Sequence, residues 1–259
     1  MPKKFKSFGL SLSGGGARGI MHAGFLKALD EAGLKPEAIA GASMGAIVGA
    51  MYASGVRPDD MLKAIKLPEF RNLHTWIGLK GGFGSLDQLR KQLQSFVKAD
   101  TFDKLDIPLY VSVTNLNKAV NEIIHQGNLY DAVVASSSIP ILFVPTKIGD
   151  YYYVDGGVTN NMPVECIKKD KRMIIGLNSN HTDELDKEFK SMLSVGERCL
   201  RIVVRNNEMD QMQQCDVIID PEELRSYGTF DFDVADKIFE IGYHAGEEHM
   251  DEIKSKLGK

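Results

Sequence analysis

The chain has little of what builds a secreted, metal-binding or membrane-spanning protein. Among its 259 residues there are three cysteines, Cys166, Cys199 and Cys215, and no C-x-x-C pair. That argues against a disulfide framework or a cysteine zinc site, and fits buried thiols in a reducing cytoplasm. No apolar run approaches the roughly 18 residues that a membrane-spanning helix requires. Lys3, Lys4 and Lys6 precede a mildly apolar stretch, but Ser11, Ser13, Gly14 to Gly16 and Arg18 interrupt it too early for a signal peptide. The net charge is only −4, with acids and bases interspersed, which gives no support for nucleic-acid binding. Repeats, low-complexity tracts and linkers are also missing. One domain over residues 1–259 is expected, long enough to bury about three quarters of its unfolded surface.

What the chain does have is glycine in two informative places. Gly41-Ala42-Ser43-Met44-Gly45 fits G-x-S-x-G, in which a serine sits on a strained turn between a strand and a helix and its neighbours must be small. The context agrees: Glu37 to Ala40 is short and apolar like a buried strand, and Met44 to Ser54 is a small-residue helical run closed by Gly55 and Pro58. The plainer reading is a turn whose serine caps the next helix. Upstream, Gly14-Gly15-Gly16-Ala17-Arg18-Gly19 lies between a strand-like Phe5 to Leu12 and a helical Ala17 to Ala32 that ends at Gly33. Backbone N–H groups at such a corner are unpaired and favour negative charge, which suits the oxyanion of an acyl-transfer intermediate.

Gly14, Gly16 and Gly19 also fit G-x-G-x-x-G, the phosphate-binding turn of dinucleotide folds. That reading needs a carboxylate at the end of the second strand to hold a ribose hydroxyl. The second strand ends instead in Ala42-Ser43.

A nucleophilic serine needs a base. His74, His125, His181, His244 and His249 follow Ser43, but none has a motif around it, and His244 and His249 lie in an acidic helical pattern of solvated residues. Asp155-Gly156-Gly157 follows the strand-like Tyr151 to Val154 and is closed by Asn160-Asn161-Met162-Pro163. An acid at a strand end with two glycines behind it is plausible as an exposed base, although an isolated D-G-G is more often a plain turn.

Taken together, Gly14 to Gly19, Gly41 to Gly45, and the block from Ala135-Ser136-Ser137-Ser138-Ile139-Pro140 through Asp155-Gly156-Gly157 to Pro163 resemble the three signature regions of the patatin-like phospholipases. The resemblance spans the first two thirds of the chain; beyond about residue 180 no family motif is found. It implies a three-layer α/β/α sandwich around a mostly parallel sheet. It also implies a Ser–Asp dyad without histidine: Ser43 as nucleophile, Asp155 as base, and the Gly14 to Gly19 loop, with Ala17 and Arg18, as oxyanion hole. Acyl esters of phospholipids or lysophospholipids are the implied substrates, with no metal or cofactor and with room for peripheral membrane contact.

The remaining elements read as ordinary α/β structure. Ser85 with Gln88 looks like a capping box opening a helix over Leu86 to Val97; Leu109 to Thr114, Met173 to Leu177 and Val217 to Ile219 look like buried strands; helical periodicity returns from Val234 to Leu257. Gly196 to Val204 has no clear pattern. Phe70 to Phe83, with Trp76 and several glycines, suits either a lid or a surface loop tucking its aromatics inward. Three functions therefore compete: a lipid acyl hydrolase, an acyltransferase using the same serine, and a non-catalytic protein that keeps the fold. The presence of both Ser43 and Asp155 disfavours the last.

Overall fold

The computed structural model describes residues 5–71, 86–181 and 188–259. In chain order the elements are β1 (Ser7–Leu12), α1 (Met21–Glu31), β2 (Ala38–Gly41), α2 (Met44–Ala53), α3 (Pro58–Ile65), α4 (Pro68–Arg71), α5 (Asp87–Phe96), β3 (Leu109–Asn115), β4 (Val120–Ile124), α6 (Leu129–Ser136), β5 (Thr146–Ile148), β6 (Tyr151–Asp155), β7 (Arg172–Leu177), α7 (Met192–Met212), β8 (Val217–Ile219) and α8 (Ala235–Leu257).

The strands form one mixed sheet in the order β5-β6-β3-β2-β1-β7-β8. Its centre, from β3 to β8, is parallel, while β4 and β6 pair with β3 antiparallel and β5 pairs with β6 antiparallel. The central strands are buried along nearly their whole length because both faces are covered. Alternation still sorts their side chains. Ile39, Met173, Ile175 and Leu177 join the larger core with α1, α2, α6 and α8, whereas Ala38, Ala40 and Ile174 face a smaller cluster with Met162, Val164 and Ile167, against which Met212 of α7 packs. Helices thus cover both faces of the sheet, giving the three layers expected. Each fully buried Leu or Ile contributes about 1.5–3 kcal/mol.

The expected elements recur with two differences. The helix expected over Ala17 to Ala32 divides into a 3-10 turn, Gly16–Ile20, and α1. The patternless Gly196 to Val204 lies inside α7, a helix of 21 residues. Leu86 to Val97 contains α5, but Ser85 of its expected capping box lies outside the described residues, as do Trp76 and Phe83 of the candidate lid; Phe70 is buried. Cys166 and Cys215 are half-buried, with burial pushing both thiols up to about 12, whereas Cys199 is exposed rather than buried as expected. Among the described residues no helix is long and apolar enough to cross a membrane.

Sheet register sets the site. Leu12 pairs with both Gly41 and Leu177, so the loops leaving β1, β2 and β7 emerge side by side at the carboxyl edge, where open α/β sheets bind their ligands. Strand β3 supplies the fourth element. Its Leu109 to Val111 pair with β2, and its Val113 to Asn115 pair with β6 along that same edge, β4 occupying the other. Parallel β2 and antiparallel β6 therefore run toward each other along one edge. Their carboxyl ends, Ser43 and Asp155, meet.

Candidate active site

Ser43 occupies the turn between β2 and α2 with φ 51° and ψ −121°, a conformation that costs a non-glycine residue about 1–3 kcal/mol. Surrounding structure holds it there. Its N–H donates to Ser136 Oγ at 2.8 Å, and that hydroxyl donates to the Ser112 carbonyl at 2.7 Å. Gly45 permits the turn, since a Cβ there would stand 2.2 Å from the Leu12 carbonyl oxygen; Gly41 packs against Gly45 in the same way. The serine caps no backbone N–H of α2 with its side chain. The plain capping role does not hold.

The Ser43 side chain and the Asp155 carboxylate line the same cleft, the serine close enough to favour the ionised carboxylate. Asp155 is fixed through its main chain, donating N–H to the Ser138 carbonyl at 3.0 Å and accepting from Thr114 Oγ1 at 2.9 Å. The Gly157 N–H donates to Asp155 Oδ1 at 2.7 Å, while Gly156 packs against the Ser112 backbone. Burial pushes the carboxyl up to about 6, and Ser43 and the Gly157 N–H oppose that rise. A carboxylate in this range is poised to exchange a proton near neutral pH.

The glycine loop arches over the pair. A Cβ on Gly14 would lie 2.9 Å from Ser43 Cβ. The Gly14 carbonyl accepts three donors: Ser179 Oγ at 3.0 Å, Asn161 Nδ2 at 3.1 Å, and Asn180 Nδ2. In a trans peptide the following N–H points opposite its carbonyl. The Gly15 N–H is therefore turned away from this network, and neither it nor the Gly16 N–H meets an acceptor among the described residues. The rest of the loop is engaged: the Gly14 N–H donates to Asn161 Oδ1 at 3.2 Å, the Ala17 N–H to the Thr229 carbonyl at 2.8 Å, and Gly19 packs on Met44. Gly16, at φ +60°, takes a left-handed conformation that favours glycine.

Arg18 is buried, and its guanidinium donates to the Ser179 carbonyl at 2.9 Å, the Tyr227 carbonyl at 3.1 Å and Asn180 Oδ1 at 2.8 Å. Burial, and then the neighbouring charge of Arg201, lower it to about 10. Its contacts tie the loop after β7 to residue 227. Within the expected oxyanion loop, Arg18 is a clamp.

Sequence reasoning missed Ser179, Asn180 and Glu208. Glu208, on α7, accepts from Asn180 Nδ2 at 2.8 Å and from Asn161 Nδ2. Burial pushes it up to about 7, against the two amide bonds and Arg18. A carboxyl this deeply buried marks a polar network. No local motif announces Glu208, because its partners lie in loops distant in sequence.

Ser43 and Asp155 share an open cleft of about 640 Å³ with Gly14, Gly15, Gly16 and Arg18. Among the described residues no histidine lines it. His125 stacks on Tyr110 with ring centres 5.4 Å apart, His181 bonds Asp220 at 3.2 Å, and His244 pairs with Glu247 at 3.0 Å on the surface. His249 contacts the Ala245 carbonyl at 2.9 Å; His74 lies outside the described residues. Nor do the described residues contain a cluster of His, Cys, Asp or Glu able to hold a metal ion.

Fold and geometry together define an α/β protein with a serine on a strand-to-helix turn facing a buried carboxylate. Residues 10–166 match the patatin-like phospholipase family, and the chain belongs to it. It is similar to "Lysophospholipase NTE1" of Kluyveromyces lactis, 23% identical over 290 residues that cover 97% of this chain and 20% of that protein. It is also similar to "Uncharacterized NTE family protein MT2641" of Mycobacterium tuberculosis, 33% identical over 184 residues that cover 65% of this chain and 30% of the relative. The chain thus spans a fifth to a third of the length of these two relatives. Among solved structures, VipD from Legionella pneumophila has the same fold, with a TM-score of 0.55 at 16% identity, covering 97% of this chain and 71% of that one.

Proposed function

We propose that the chain hydrolyses carboxylic esters of lipids, phospholipids or lysophospholipids, through a Ser43–Asp155 dyad and an acyl-enzyme. The observation that carries this reading is the juxtaposition of Ser43, on its strained turn, with the buried Asp155 carboxylate in one cleft. Ser43 Oγ attacks the ester carbonyl carbon as Asp155 takes its proton. The oxygen that gains charge is received by the unpaired N–H groups of Gly15 and Gly16; one such donor is typically worth about 10²–10³ in rate. Asp155 then gives its proton to the departing alcohol, and in the second half it takes a proton from the water that attacks the acyl-enzyme. Membership of the family and the likeness to a protein named a lysophospholipase support lipid esters as substrates.

Peripheral contact with a lipid surface belongs to the same reading. Exposed Ile141 stands beside Gly196 of α7, and Met192 in the first turn of that helix is 93% exposed. Such large apolar side chains are the kind that enter a lipid interface.

The reading predicts that Ser43→Ala abolishes nearly all hydrolysis of a panel of fatty-acyl and short-chain nitrophenyl esters. A fluorophosphonate probe should label the wild type and leave the folded variant unlabelled. Labelling that persists in Ser43→Ala would remove Ser43 from its role. Turnover that depends on an acceptor other than water would make the chain an acyltransferase.

A further inference from the structure

The space around Ser43 has two ends of different chemistry. Ser43, Gly16, Ile139 and Phe230 are common to both. One end is walled by Phe70, Leu86, Leu89, Phe143 and Phe232, an apolar lining that suits an acyl chain. The other carries two guanidinium groups, from Arg18 and Arg201, against one carboxylate, that of Glu197.

These cations differ in what they already hold. Arg18 donates from all three of its nitrogens to protein oxygens. Arg201 Nε is buried with no acceptor among the described residues. Arg201 lowers Arg18, while Arg201 itself is lowered first by burial and then by Arg198, with Glu197 opposing. A charged donor held in this way lacks a partner it would normally have. Arg201 shares one face of α7 with Val204 and Glu208, at spacings of three and four residues. The same helix face therefore carries Arg201, whose Nε has no acceptor among the described residues, and the acid that holds Asn161 and Asn180 against Gly14.

We propose that Arg201 receives the phosphate of a lipid headgroup, so that the cleft selects a phosphate-bearing acyl ester over a neutral one. The inference rests on the hydrolase reading for its substrate. A glycerol hydroxyl or ester oxygen could accept one hydrogen bond from Arg201 but would leave its charge and its repulsion with Arg18 in place. A phosphate oxygen pair matches the planar guanidinium and neutralises it.

The test compares two single-chain substrates with the same acyl group, a lysophosphatidylglycerol and a monoacylglycerol, in wild type, Arg201→Gln and Arg201→Lys. In Arg201→Gln the preference for the phosphorylated ester, as a ratio of kcat/KM values, should fall by about tenfold or more, mainly through KM, and Lys should restore part of it. An unchanged ratio overturns the proposal. If the wild type cleaves neither ester, the hydrolase reading fails, and calorimetry with an ether-linked lysophospholipid then decides the role of Arg201. Binding weaker by about tenfold in Arg201→Gln supports the site, and equal affinity defeats it.

Discussion

The two walls that flank Ser43 are built on different principles. On one side the glycine loop and the serine turn are held by backbone: Gly45 against the Leu12 carbonyl, the Gly14 carbonyl under three donors, and the β1, β2 and β7 ends in register. On the other side α7 contributes side chains, with Leu200, Arg201 and Val204 lining the cleft, Glu208 buried against Asn161 and Asn180, and Met192, Val195 and Ile202 exposed. Backbone placement demands small residues at fixed spacing and tolerates little variation. Side-chain placement from a helix can be met by many sequences. The first wall should therefore carry the chemistry common to the family, and the second the choice of substrate.

The largest effect that would break this comparison is at the base. Asp155→Asn keeps shape and the Gly157 contact but cannot take a proton, so turnover should fall by about 10²–10⁴-fold, approaching Ser43→Ala. In the wild type, kcat/KM should rise with pH through about 6, because burial raises Asp155 to that value and only the ionised form accepts the proton. Stability should run the other way. A carboxyl raised in the folded state contributes stability below its unfolded pKa that is lost as pH rises through about 6. Asp155→Asn should abolish both dependences. A pH–rate profile with no inflection near 6 would sink the base assignment.

A smaller effect separates the walls from each other. Glu208 reaches the glycine loop through Asn161 and Asn180, which hold the Gly14 carbonyl and leave the Gly15 N–H turned away from that network. Glu208→Leu strands two buried amide donors, costing about 1–3 kcal/mol of stability. With the loop loosened, kcat should fall by roughly tenfold while KM stays near its wild-type value. Glu208→Gln keeps an acceptor oxygen and should restore most of kcat. Glu208→Leu with wild-type kcat and melting temperature would show that α7 does not steady the loop. Gly15→Val is a poorer probe, since its Cβ would sit 2.2 Å from Ser179 Oγ and the change would disturb packing first.

How far the sequence could be read follows the same division. The Ser43 turn, the glycine loop and Asp155-Gly156-Gly157 were legible because close backbone approach leaves a fixed local pattern. The strands from β1 to β3 and β7 were legible from apolar runs, with ends shifting by one or two residues. Glu208, Asn180 and Ser179 were not, because their partners are 28 to 166 residues away and only the fold brings them together. Arg18 was legible as part of a motif but not as a clamp: the carbonyls of Ser179 and Tyr227 that it binds come from loops without any signature. The 3-10 turn ahead of α1 escaped periodicity because the Thr229 carbonyl, far down the chain, takes the Ala17 N–H.

The smallest expected effect is also the one that sharpens the dyad most. If Asp155 alone serves as base, single changes of His125, His181, His244 and His249 to Gln should each leave activity within about twofold, the scale of surface substitutions worth up to about 0.5 kcal/mol. The geometry agrees, since each of these rings already has a partner away from the cleft. His74→Gln belongs in the series because the sequence left that histidine open as a base. His22 does not, because it is buried with Nε2 2.8 Å from the Ser13 carbonyl and lowered to about 4 by burial, so its loss would report on packing. In a triad with an orienting aspartate, one histidine variant would be as inactive as Ser43→Ala. A folded His→Gln protein, checked by circular dichroism, that hydrolyses nothing would therefore replace the dyad with a triad. It would also make Asp155 the residue that orients the base.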